Sequence, residues 1–126
     1  MPLYRRPTRT FTVNIGDGTN VPAVNSYGKF PAAPSSGTIV KWSVTGDQSG
    51  SATIDVLKAS ASASPSYTSM VGAGTKPNIS TAEASVGNAP ASWTTTTFSK
   101  GDMFKFNLDS VTTCRSVTLV LEWVGN

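Results

Sequence analysis

GDQSGSATIDVLKAS, residues 46–60, decides how this chain is read. Gly46, Asp47, Ser49 and Gly50 are turn formers. Ala52, Ile54 and Val56 then alternate with Thr53 and Asp55, and a period of two is the mark of a strand with one buried face. The expectation is a four- or five-residue hairpin connection at 46–50, joining a strand that carries Trp42 to one that carries Ile54. Nothing in the stretch can do chemistry.

The same period recurs on both sides. Phe11, Val13 and Ile15 alternate with Thr10, Thr12 and Asn14, and Val40, Trp42 and Val44 alternate with Lys41, Ser43 and Thr45. Phe104, Phe106 and Leu108 form a fourth apolar row, and Val117, Leu119, Leu121 and Trp123 a fifth. Five such segments without a helical period predict antiparallel sheets packed face to face. Turn signals fall between them at GDG (16–18), SKGD (99–102) and DSVTTCRS (109–116). Residues 16–37 hold three prolines and are expected to contain one short strand near Val24–Phe30. Residues 59–91, rich in Ala and Ser, form a second long connection, of the kind that crosses between sheets or carries function.

Composition fits this. Of 126 residues, 38% are hydrophobic and only 13% charged, and Ser, Thr, Asn, Gly and Pro dominate the remainder. That is enough chain for one domain with a core. The expected fold is all-β: a single antiparallel, jelly-roll-like β-sandwich over residues 10–126, preceded by a short extended arm over residues 1–9.

The arm follows from charge. Ten Lys and Arg against seven Asp and Glu give +3, and Arg5, Arg6 and Arg9 account for the whole excess. Pro2 and Pro7 keep the segment out of helix. Three arginines without interleaved aromatics do not make a nucleic-acid patch, so the expected partner is an acidic protein surface met through guanidinium–carboxylate forks.

Several chemistries lose their reagents. There is no histidine to serve as the base of a nucleophilic pair, and Cys114, the single cysteine, is expected to be structural. The seven carboxylates are scattered over turns and polar strand faces, which leaves no facing pair for glycoside hydrolysis. VGAGTK (71–76) lacks the full phosphate-loop spacing, and no loop of alternating acids supplies a calcium site. The expectation is no enzyme, no cofactor and no metal site. No apolar run is long enough to cross a bilayer, and no h-region follows MPLYRRPTRT, so no membrane partner is expected.

Two surface features remain. Val120 and Val124 sit on the face of their strand opposite the core row, flanking Glu122, where a contiguous apolar patch favours self-association. Tyr67 and Trp93, outside the alternating rows, are the candidates for stacking on a sugar.

The order WSVTGDQSGSATIDVLK, GTKPNIS, and WTTTTFSKGDMFKFNLDSVTTCRSVTLVL resembles a small β-sandwich module of tailed bacteriophages and prophages. The resemblance spans about residues 38–122. It implies a jelly roll, usually trimeric, of the sort found in capsid decoration (cement) proteins and at tail-fibre or receptor-binding tips, with no catalytic residues. The expectation is a homotrimeric decoration protein on the outer capsid surface, made in the host cytoplasm. It would reinforce contacts between major capsid subunits, with Arg5, Arg6 and Arg9 as its capsid-contact arm. The alternative is a receptor-binding head recognising host glycan through Tyr67 or Trp93.

Overall fold

In the computed structural model, which describes residues 7–30, 33–87 and 92–125, the chain is all-β. Eight strands follow in order: β1 (Thr8–Ile15), β2 (Ser26–Phe30), β3 (Gly37–Ala59), β4 (Thr68–Ser69), β5 (Asn78–Gly87), β6 (Thr97–Phe98), β7 (Met103–Thr112) and β8 (Val117–Gly125). Every pairing is antiparallel, and the strands form one sheet in the order β1-β8-β3-β7-β2, with β4, β5 and β6 also on β3.

That sheet folds over on itself because β3 does. β3 runs unbroken for 23 residues, pairing with β8 over Gly37–Gly46 and with β7 over Ser51–Ala59. The expected hairpin at GDQSG is therefore a corner within one strand. β5 turns the same corner, with register shifts against β3 between Thr45 and Gly50 and between Gly50 and Ala52, and Thr81 at φ 49°. Irregularities of this kind let a strand leave one layer and enter the next. One layer is then β1, β8, the first half of β3 and the end of β5. The other is β2, β7, the second half of β3 and the start of β5.

The alternating rows meet between the layers. Val13, Ile15, Val44, Ile54, Val56, Phe104, Phe106, Leu108, Leu119 and Leu121 are all buried. At one end Phe11 stacks on Trp123 (centroids 5.3 Å apart), and Phe98 meets Trp123 edge-on at 5.1 Å. Phe11 and Phe104, from opposite layers, lie 5.1 Å apart, which ties the layers together with the tilted geometry aromatic pairs favour.

One row is shifted by a residue. Val40 is only half-buried, and Ile39, 1% exposed, takes the inward place. The register passes from Ile39↔Trp123 directly to Lys41↔Glu122, so Val40 and Lys41 together oppose one residue of β8. This bulge resets the parity and brings Trp42 back inward. β5 was not visible in the sequence because, beyond Ile79, it is built mostly of Ser, Thr, Ala and Gly, and Ser80, Thr81, Glu83 and Ala84 are exposed.

Candidate functional site

Local turn chemistry and long-range bonds together hold the corner of β3. Asp47 Oδ1 accepts from the backbone N–H of Arg115 (2.8 Å) and of Ser116 (3.2 Å). Gln48 Nε2 donates to Thr113 O at 2.6 Å. The Cys114 thiol, buried, sits inside the bend and donates to Gln48 O at 3.4 Å. A Cβ on Gly46 or on Gly50 would stand 2.8 Å from that sulfur, so both glycines are required by close approach. The Arg115 N–H, foremost, holds the Asp47 carboxyl below its ordinary pKa, while burial pushes the Cys114 thiol up. A buried thiol with a raised pKa is a packing residue.

The second cluster lies on the outer face of the β2–β7–β3 layer. Lys76 Nζ pairs with Asp109 Oδ2 and stands 3.7 Å from Asp55 Oδ2. Ser69 Oγ donates to Asp55 Oδ1 (2.6 Å), and Asn107 Nδ2 donates to Asp109 Oδ1 (2.6 Å). Ser26 Oγ donates to Asn107 Oδ1 at 3.2 Å, extending the chain of bonds to β2. The bond to Asp109, first, raises the Lys76 pKa, so the amine is held as an ammonium rather than as a nucleophile. Asp55 and Asp109 do come together, which the sequence did not reveal, but with a cation between them. On the β3–β6 side, Lys58 Nζ donates to Thr97 O (2.9 Å) and lies 3.8 Å from Asp102, whose Oδ2 caps the turn by accepting from Ser99 N (2.9 Å).

Of the arm residues, Arg5 and Arg6 lie outside the described residues. Arg9 does not belong to a free arm. β1 begins at Thr8, Arg9 pairs with Trp123, and its guanidinium carbon lies 5.4 Å from the Trp123 ring centroid. It closes the aromatic end of the core, and the boundary between arm and domain falls earlier than residue 10. The reason is parity: Arg9 lies on the same face of β1 as Phe11, so its guanidinium, though exposed, lies over the Trp123 ring.

Val120 and Val124 are half-buried on the outer face of β8. Val120 stands between Thr12 and Ser43 and Val124 between Thr8 and Thr38, in the middle of a layer rather than at its edge. Trp93 is 6% exposed and donates its indole N–H to Thr75 O (2.8 Å). It is a core residue, and no ring face is left for a sugar. Tyr67 is half-buried with the Lys105 ammonium 4.5 Å from its ring centroid. The structure does not bring the two aromatics into a shared platform.

A shallow hollow of about 220 Å³ lies where β1 ends, lined by Gly16, Asp17, Asn20, Val21, Pro22 and Tyr27. Asp17 Oδ1 accepts from Thr19 N (2.8 Å) and Asn20 N (2.9 Å), and Tyr27 Oη donates to Ala23 O (2.6 Å), so its polar groups are largely engaged in shaping the loop. Among the described residues, no three His, Cys, Asp or Glu side chains gather as a metal site, and no helix is long and apolar enough to cross a membrane.

No protein-family model matches the chain, and no curated protein matches it. Solved structures do. One is the nucleoplasmin-like N-terminal domain of Drosophila FKBP39, at 16% identity over 94% of this chain and 90% of that one, with a TM-score of 0.40. Another is the extra small virus particle of the giant freshwater prawn Macrobrachium rosenbergii, at 12% identity over 100% and 84%, TM-score 0.32. A third is a carbohydrate-binding module of Cel9A from Ruminococcus flavefaciens FD-1, at 11% identity over 89% and 97%, TM-score 0.33.

Proposed function

We propose that the chain is a non-enzymatic structural protein of a bacteriophage virion, a trimeric decoration protein that stabilises contacts between major capsid subunits. One observation carries the reading. Six charged residues in the motifs through which the sequence resembles phage sandwich modules are engaged in holding the fold. Asp47 closes the corner, Asp55 and Asp109 clasp Lys76, and Lys58 and Asp102 tie β3 to the turn before β7. Residues that would be free to act on a substrate are instead bonded within the chain, as suits a part whose task is to stay rigid.

Val120 and Val124 interrupt the Thr- and Ser-rich outer face of β8 and add apolar area to the contact between copies, without forming it alone, and Arg5 and Arg6 contribute contacts to acidic protein surface. Exposed ion pairs are individually weak, about 0–1 kcal/mol, but repetition over three copies multiplies the footprint. The receptor-binding alternative has lost Trp93 to the core.

The test is copy number per virion by quantitative mass spectrometry. Many copies spread over the shell support decoration. A handful of copies confined to the tail would transfer the protein to the adhesin class.

A further inference from the structure

β5 pairs with β3 and with no other strand, so its outer edge carries backbone N–H and C=O groups without partners among the described residues. Proteins usually blunt such an edge with Lys, Pro or a bulge. Beyond Thr81, residues 82–87 read AEASVG and carry no Lys and no Pro. The single charge is Glu83, which is exposed and has no cation at ion-pair distance among the described residues. An open edge with one unpaired carboxylate favours an extended, basic partner strand. Two β5 strands pairing with each other would gather two negative charges with no positive one to offset them.

The sequence of the chain itself contains a basic segment of that description. Leu3, Tyr4, Arg5 and Arg6 lie between Pro2 and Pro7, and β1 begins directly afterwards at Thr8. Added to the edge as a strand, four residues would span about 13 Å, and alternation would place Arg5 and Arg6 on opposite faces, so one of the two would share a face with Glu83 whichever the register.

Reach excludes a chain binding its own edge. In that layer the order is β1, β8, β3, β5, so a strand added outside β5 lies four spacings from β1, about 19 Å away at the usual inter-strand distance. Arg5 is three residues from Thr8 and extends at most about 11 Å from it. The strand must come from another molecule.

We propose that the outer edge of β5 takes up the N-terminal segment of a second copy of this chain, with Arg5 or Arg6 paired to Glu83. The inference rests on the multi-copy reading above and names the acidic surface that the arginines meet. Each copy then gives a strand and receives one, a heterologous contact that closes into a ring when the rotation allows, as in a trimer.

The experiment is mass by light scattering on three purified full-length variants beside wild type: Glu83→Arg, Arg5→Glu with Arg6→Glu, and all three changes together. Wild type is expected to be oligomeric. Each charge reversal alone is expected to shift the mass to monomer with an unchanged β-type circular dichroism spectrum. The combined variant should recover the oligomer, because the opposite charges meet again with sign exchanged. A monomeric wild type, an oligomer indifferent to either reversal, or a combined variant that stays monomeric overturns the strand exchange. None of these outcomes touches the copy number on the virion, which tests decoration separately.

Discussion

Asp47 and Ser116 are bonded in both directions: Asp47 N donates to Ser116 O at 3.0 Å, and Asp47 Oδ1 accepts from Ser116 N at 3.2 Å. The reciprocal pair joins the corner of β3 to the loop between β7 and β8, two segments 69 residues apart. β3 changes partner from β8 to β7 at this corner, so the layers of the sandwich are hinged on it.

Asp47→Asn should therefore lower the melting temperature at neutral pH, and the gap to wild type should close on acidification. Backbone N–H groups, Arg115 first, hold the Asp47 carboxyl below its ordinary value of 3.8. Its contribution is present above that value and lost as pH falls through the depressed one. Thermal melts from neutral to strongly acidic pH check this. A gap that persists unchanged in acid would show that geometry, not ionisation, holds the corner.

Gly50→Ala tests the close packing of the same corner. A Cβ there would lie 2.5 Å from Thr112 O and 2.8 Å from Cys114 Sγ, and neither can retreat without moving the loop. Overpacking of this kind costs about 1–3 kcal/mol. Chemical denaturation should show that loss, and Cys114→Ala combined with Gly50→Ala should recover only part of it, because the clash with Thr112 O remains.

Lys76→Met should leave Asp55 and Asp109 facing each other across the outer face of β3 and β7 and cost roughly 1–2 kcal/mol, the charge-assisted bond discounted for partial exposure. Adding Asp109→Asn should recover part of the loss by removing the repulsion, a coupling that a double-mutant cycle measures. The Lys76 pKa is raised, so its contribution holds below the ordinary lysine value of 10.5 and fades as pH rises through the folded value. The difference between wild type and Lys76→Met should therefore narrow in strong alkali.

Arg9 is separable from Arg5 and Arg6. Arg9→Ala should lower stability by about 0.5–1 kcal/mol, through loss of the cation–π contact with Trp123. Arg5→Ala with Arg6→Ala should leave stability unchanged while weakening assembly. Denaturation midpoints and light scattering on the same samples separate the two effects.

What the sequence determined by itself is which residues face inward. Phe11, Val13, Ile54, Phe106, Leu119 and their neighbours are buried as their spacing predicts, since a strand has only two faces and a core accepts only the apolar one. The one short strand expected near Val24–Phe30 is β2, Ser26–Phe30. Where side chains are small, as along β5, alternation carries no contrast and the strand stays hidden until β3 pairs with it.

Tertiary structure alone decided what GDQSG does. Two glycines around Asp and Gln satisfy a hairpin loop and a corner equally well, because both need only local backbone freedom. The choice is made by Thr113, Cys114, Arg115 and Ser116, whose groups meet Asp47 and Gln48 across 65 to 69 residues of chain. The same holds for the bulge at Val40 and for Lys76 between its two aspartates. Each depends on which strand lies alongside, and a period of two, read along one strand, contains no information about its neighbour.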